Sequence, residues 1–195
     1  MRAYLELMKL RVVELLLIST LPAMVLAQRG LPSLGLTIAT LAGGTLAAGS
    51  ANAFNMIIEA ESDRLMSRTA NRPLATGKIT IAQANIFALI IGFLSLLIFQ
   101  LFTNTLSTIL TAIAIIYYVF VYTIGLKRNT DQNIVWGGAA GCMPALIGWS
   151  AVTGSLSIVA WLWFFVILNA PRYPCFRLSH LDSAYAVGCL SIHGQ

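Results

Sequence analysis

Asn55, Glu59 and Asp63 follow one another at intervals of four residues. On a helix that interval returns each side chain to one stripe, about 6 Å further along the axis. Glu61 would point away, roughly 200° round from Glu59. One amide and two carboxylates on a stripe offer oxygen donors, which suit a hard cation such as Mg2+. Magnesium keeps several waters and usually shares its shell with substrate phosphates instead of filling an all-protein cage. Arg64, Arg68 and Arg72 repeat at the same interval, and Lys78 follows. A guanidinium fork takes phosphate oxygens in pairs. Together these residues describe a site for a metal-bridged diphosphate. The same spacing also describes a solvated helix beside a membrane, with its acids and bases in surface ion pairs.

The elements that hold this stripe have to be built for lipid. The chain has 195 residues, 58% of them hydrophobic and only 10% charged, with a mean hydropathy of +0.82. A soluble domain carries about a quarter charged residues. Residues 55–74 nevertheless hold three of the seven acids and three of the twelve basic residues. Charge so dense beside apolar spans is costly near lipid and marks a functional segment. The lipid-soluble diphosphate that fits such a place is a prenyl diphosphate, with its tail in the bilayer and its head at the surface.

Charge-free intervals mark the spans. None of the charged residues falls between Lys78 and Lys127, or between Asp131 and Arg172. Each interval is too long for one helix and splits at a polar turn, Thr103-Asn104-Thr105 and Thr153-Gly154-Ser155. Spans are predicted over about 12–27, 35–58, 80–102, 106–125, 133–152 and 155–170, against roughly 20 residues needed to cross. The fold class is therefore an all-α, polytopic transmembrane helix bundle. No ten-residue stretch alternates apolar with polar, as a membrane barrel strand would. With the N-terminus cytoplasmic, eleven basic residues lie inside and only Arg29 outside, as the positive-inside rule asks. That places the acidic stripe on the cytoplasmic face.

The net charge of +5 is explained by this orientation, so nucleic acid is not expected as a partner. Cys142, Cys175 and Cys189 are odd in number and form no Cys-x-x-Cys pair, which argues against a disulfide framework or zinc site. Cys142 reads as a small packing residue. The N-terminal run is read as the first span and not as a cleaved signal, because Glu14 and Pro22 interrupt it and further spans follow. Thr80-x-x-Gln83 predicts a capping box, and Pro73 stops any helix leaving span two. Small residues crowd spans two and five (Gly43, Gly44, Ala47, Ala48 and Gly137, Gly138, Gly141 among them), which lets helices approach closely within lipid.

Asn-x-x-x-acid-x-x-x-Asp followed by Arg-Thr-x-Asn-Arg-Pro-Leu-x-x-Gly resembles the first acidic motif of the UbiA superfamily of intramembrane prenyltransferases. Lys9-Leu-Arg11-Val-Val-Glu14 and residues 126–149, from Leu126-Lys127-Arg128 to Pro144 and Trp149, resemble the protohaem IX farnesyltransferases within it. The resemblance runs from about residue 4 to about residue 166. It implies transfer of a farnesyl group from farnesyl diphosphate to a vinyl group of protohaem IX (haem b), giving haem O and diphosphate. Asn55, Glu59 and Asp63 would hold Mg2+ and the diphosphate. Arg68, Arg72, Lys127 and Arg128 would neutralise charge on the departing group. Tyr117, Tyr118 and Tyr122 would shield the allylic cation, or serve only in packing and the interfacial belt. A bacterial inner membrane fits better than a mitochondrion, since no Arg- and Ser-rich presequence precedes span one. Association with haem A synthase or cytochrome oxidase assembly is a further expectation. Other readings are a UbiA-type enzyme acting on an aromatic or quinone precursor, and a transporter or structural subunit. Residues 126–149 oppose the former, and acids at a helix end without repeated halves oppose the latter.

The resemblance also implies a longer protein, of about nine spans where about six are predicted here, with a second acidic motif. Thr-Pro-Pro-His-Phe-Trp of the family stands here as Asn169-Ala-Pro171-Arg-Tyr-Pro174. Asp182-Ser-Ala-Tyr185 is at best an echo of the second motif. Residues 1–170 thus read as a partial UbiA-type domain and 171–195 as an aberrant tail, truncated or frame-shifted, with weak turnover expected. His180 and His193 in that tail read as solvated histidines and not as haem ligands.

Overall fold

A computed structural model describes residues 2–65, 69, 72–126 and 133–169. Their regular elements are all helical: α1 (Arg2–Met8), α2 (Leu10–Gln28), α3 (Leu34–Ile58), α4 (Ala60–Leu65), α5 (Ile81–Phe102), α6 (Thr105–Ile116), α7 (Asn133–Thr153) and α8 (Ile158–Asn169). A π-helical stretch, Tyr117–Leu126, continues α6. The tail with His180, Asp182 and His193 lies outside the described residues.

Local chemistry sets the helix ends. Thr80 opens α5 with the capping box that its sequence predicts. Its hydroxyl accepts from the Gln83 amide at 3.2 Å, and Gln83 Oε1 accepts from the Thr80 amide at 3.1 Å. Thr80→Ala should lower the unfolding free energy by about 1 kcal/mol, measured by denaturation in mixed micelles; no change would show that the cap is dispensable. Asn104 caps α6 by accepting from the Ser107 amide at 2.9 Å, while its Nδ2 donates to the Ser150 carbonyl at 2.7 Å. One side chain thereby starts α6 and ties it to α7. Gly154, at φ +66°, follows the end of α7, at the predicted polar turn. Helix α4 ends at Leu65, before Pro73.

Helices α3 and α5 pack closely because small residues and hydroxyls line their seam. Ser50 Oγ donates to the Ala88 carbonyl at 2.8 Å, and Ser95 Oγ to the Gly43 carbonyl at 2.7 Å. Such bonds across helices replace a hydrophobic driving force that lipid cannot supply. A Cβ at Gly43 would fall 2.8 Å from the Phe99 ring, so only glycine allows this approach. The opposite face of α5 turns Ile86, Leu89, Phe93 and Leu101 outward, exposed. This outer apolar surface suits lipid, and the closed helices satisfy their own backbone groups there.

Among the described residues, three helical stretches are long and apolar enough to cross a membrane, Leu34–Ile58, Ile81–Phe102 and Thr105–Thr123. The apolar stretches Leu17–Gln28, Ala139–Thr153 and Ile158–Asn169 are shorter. Exposed Glu14 shortens the apolar part of α2, and the turn through Ser155 delays α8 to Ile158. The fourth span also differs from the single α-helix expected over 106–125, for its winding widens at Tyr117. Within this π-wound stretch the Thr123 hydroxyl donates to the carbonyl of Tyr118, five residues earlier, at 2.8 Å.

Candidate active site

Helix α3 delivers the stripe to one end of the bundle. It ends at Ile58, and Glu59 forms its C-cap at φ −90°, ψ −1°. The hydrogen-bond pattern nevertheless carries on across the junction: the Glu59 amide donates to the Asn55 carbonyl at 3.1 Å, and the Asp63 amide to the Glu59 carbonyl at 2.8 Å. Asn55, Glu59 and Asp63 therefore stay on one side despite the break. Asn55 and Asp63 are buried, and Glu59 is partly buried, while Glu61 is exposed, as its place on the helix requires.

Arg72 comes in from the segment after α4. Its Nη1 pairs with Asp63 Oδ2 at 2.5 Å and lies 3.7 Å from Glu59 Oε2. The backbone around it is tied down. Its amide donates to the Thr69 carbonyl at 3.0 Å, the Thr76 amide donates to its carbonyl at 2.9 Å, and Thr69 Oγ1 donates to the Asp63 carbonyl at 3.0 Å. Arg72 is thus held beside both carboxylates. The expected partners Arg68, Lys127 and Arg128 lie outside the described residues.

A second cation arrives from the other side. Lys9 breaks the chain between α1 and α2 in a left-handed conformation, φ 49°, ψ 59°. Asn52 Nδ2 holds the neighbouring Met8 carbonyl at 3.0 Å. The Asn55 amide, oriented by its neighbours, donates to Glu59 Oε1 at 3.2 Å and accepts from Lys9 Nζ at 3.3 Å. Two carboxylates, one amide, one guanidinium and one ammonium share this cradle.

The donor set fits a magnesium–diphosphate pair better than a closed metal cage. All the donors facing inward are oxygens of the type that hard cations take. Among the described residues no group of three or more His, Cys, Asp and Glu converges. A cation here would draw part of its shell from water and from the ligand it bridges, which is how magnesium usually binds.

Below the cradle is a cavity of about 200 Å³ between α2, α3, α5, α6, its π-helical continuation and α7. Asn52 and Tyr118 stand at the end nearer the acids, with the Tyr118 hydroxyl 3.4 Å from Asn52 Oδ1. Away from them the walls are small or apolar, including Gly44, Ala48, Ala51, Gly141 and Met143. Of the three tyrosines considered, only Tyr118 lines the cavity. Tyr122 stacks beside it, with ring centroids 5.3 Å apart, and covers Gly137. The site therefore joins a polar, charged rim to an apolar pouch, which is what an amphipathic diphosphate needs.

Residues 16–180 match the UbiA prenyltransferase family. The chain belongs to that family. Similar UbiA-type sequences include the "Protoheme IX farnesyltransferase" of Clavibacter sepedonicus, 50% identical over 188 residues, covering 95% of this chain and 61% of that protein. The protein of the same name from Pseudarthrobacter chlorophenolicus is 55% identical over 174 residues, covering 88% of this chain and 54% of that one. The chain thus spans between half and two thirds of the length of these curated relatives. Among solved structures, a UbiA homolog from Archaeoglobus fulgidus bound to GPP and Mg2+ has the same fold, with a TM-score of 0.69 at 21% identity over 87% of this chain and 61% of that one.

Sequence reasoning placed Asn55, Glu59, Asp63 and Arg72 in this UbiA chain's cradle, and the structure brings those four together. It missed Lys9 and Asn52. From the sequence, Lys9 counts only toward orientation in the membrane, although it opens one of the segments that carry the family resemblance. Asn52 carried a weaker signal, an amide one turn before Asn55 within an otherwise small and apolar run.

Proposed function

We propose that this protein is a prenyltransferase that moves a farnesyl group from farnesyl diphosphate to a vinyl group of protohaem IX, the haem O synthase reaction. The carrying observation is the cradle of Asn55, Glu59, Asp63, Arg72 and Lys9 above an apolar cavity. The names of the relatives and the prenyl diphosphate and Mg2+ in the homologous structure support the substrate class.

In this reading Asn55, Glu59 and Asp63 hold the magnesium diphosphate head, and the tail enters the cavity past Asn52 and Tyr118. Bound Mg2+ supplies charge neutralisation for the diphosphate as it leaves. Arg72 turns from its carboxylate partners to the phosphate oxygens, and Lys9 adds a second positive charge; Arg68, Lys127 and Arg128 complete the set. The C1–O bond of farnesyl diphosphate breaks, with its electron pair leaving on the diphosphate. The vinyl π electrons then form the new bond to C1. Water adds to the inner vinyl carbon and releases a proton, which leaves the hydroxyl of haem O. Tyr118 offers its ring face to the allylic cation beside the mouth of the cavity. The protein works in the bacterial inner membrane with its N-terminus and cradle facing the cytoplasm, a placement supported by the distribution of basic residues. Its hydrophobic product favours hand-over to a haem A synthase or to cytochrome oxidase assembly at the same membrane.

Incubation of the purified protein with farnesyl diphosphate, haem b and Mg2+ should yield haem O by mass spectrometry, and no product when EDTA replaces the metal. Prenylation of 4-hydroxybenzoate in place of haem would move the acceptor to the aromatic class.

Lys9→Ala should weaken farnesyl diphosphate binding about tenfold, as loss of one charge-assisted contact predicts. Titration of the variant in nanodiscs measures this; unchanged affinity would leave Lys9 as a structural contact to Asn55.

A further inference from the structure

We infer that Asn52 is a positioning residue for the diphosphate head, because its side-chain amide holds the turn that carries Lys9 into the cradle. This rests on the proposed binding of a magnesium diphosphate there. Asn52 lies on α3, three residues before Asn55, or about 4.5 Å along the axis at 1.5 Å per residue. It is buried, and its Nδ2 donates to the Met8 carbonyl at 3.0 Å.

Met8 is the last residue of α1, and Lys9 follows it in the left-handed conformation. A residue with a Cβ takes that conformation at a cost, so the surrounding structure has to hold it. Helix α3 does so twice. Asn52 takes the Met8 main chain, and Gly49 leaves room for its side chain, since a Cβ there would lie 3.1 Å from Met8 Cγ. With the turn seated, α2 starts at Leu10 and Lys9 Nζ reaches the Asn55 amide oxygen at 3.3 Å. One turn of α3 thus fixes the lysine at both ends, its backbone through Asn52 and its ammonium through Asn55.

An amide suits this task. A carbonyl only accepts, so Nδ2 must face Met8, and Oδ1 is turned toward the Tyr118 hydroxyl, 3.4 Å away. With both ends engaged, the amide does not rotate. A serine hydroxyl at this place would instead bond to its own helix. Polar side chains that bond across helices in lipid also serve as plain adhesive. An adhesive is missed with or without the lysine, whereas a positioning residue is missed only through it.

A double-mutant cycle separates the two roles. The probe is inorganic diphosphate with Mg2+, which has no tail to touch the cavity, titrated calorimetrically into the full 195-residue protein in nanodiscs. Asn52→Leu should weaken binding about fivefold, the scale of one buried hydrogen bond. Lys9→Ala should weaken it about tenfold, and the double variant no further than Lys9→Ala alone. A double variant weakened about fiftyfold, the product of the two losses, would overturn the proposal and leave the head-group site standing. Asn52→Leu that binds like the unmodified protein would overturn it too. Asn52→Ser carries the same expectations and replaces the leucine variant should that one not fold. If the unmodified protein binds no diphosphate with Mg2+, the head-group site itself falls, and the role of Asn52 falls with it.

Discussion

Asp63→Ala should abolish the proposed Mg2+-dependent binding of farnesyl diphosphate, with affinity expected to fall by at least about 10². Asp63 is buried at the cradle's centre and pairs with Arg72. Two effects add when it is removed. The site loses one of its two facing carboxylates, and with it half of the negative charge that attracts the cation. Arg72 also loses its nearest partner and is left beside Glu59, 3.7 Å away, so it draws charge from the one carboxylate left. Asp63→Asn separates these effects from simple misfolding. It keeps the shape and an oxygen for Arg72 to bond, yet lacks the charge that a divalent ion requires, so binding falls almost as far while the fold persists. Glu61→Ala is the control, since Glu61 is exposed and turned away from the cradle. Isothermal titration with and without Mg2+ measures all three. Equal losses in Glu61→Ala and Asp63→Asn would mean that general surface charge, and not the stripe, attracts the ligand.

The stripe was legible because i, i+4 geometry is local. It survives the break at Glu59, since the amides of Glu59 and Asp63 both reach back four residues. The helix boundaries were legible for a similar reason. Charge-free intervals end near the helix ends, and Thr80, Asn104 and Gly154 carry recognisable end signals. Lys9 was hidden because its approach depends on contacts far apart in sequence. A left-handed residue redirects the chain, and Asn52, 44 residues from Met8, fixes that turn. The π winding after Ile116 was hidden as well, for a run of aromatic and branched residues reads alike in either winding. Yet that winding brings Tyr118 to Asn52 and sets Tyr122 over Gly137, so it decides which tyrosine faces the cavity. Chemistry carried on one helix could be read from spacing, and chemistry assembled across helices could not.

Gly148→Leu should lower stability by about 3 kcal/mol, the upper range for overpacking. Helices α2 and α7 meet where Gly148 faces Thr20. A Cβ at Gly148 would lie 2.8 Å from Thr20 Cγ2, 3.0 Å from the Thr20 carbonyl oxygen and 3.2 Å from Met24 Cγ. A side-chain methyl can rotate away, but a helix carbonyl cannot, so relief requires the two helices to separate. In lipid that is costly, because packing at such seams is the main attraction between helices. Separation also reaches the site, since Thr20 on α2 and Ile147 on α7 both wall the cavity. The variant should therefore show a lower unfolding midpoint in sodium dodecyl sulfate titration, while Mg2+-dependent binding of inorganic diphosphate is largely kept. Gly44→Leu is the matching control. Its added Cβ meets only Leu17 Cδ2, at 3.9 Å, so it should fill the cavity without moving a helix. If Gly148→Leu unfolds at the same detergent fraction as the unmodified protein, the α2–α7 seam is not a close backbone contact in the membrane.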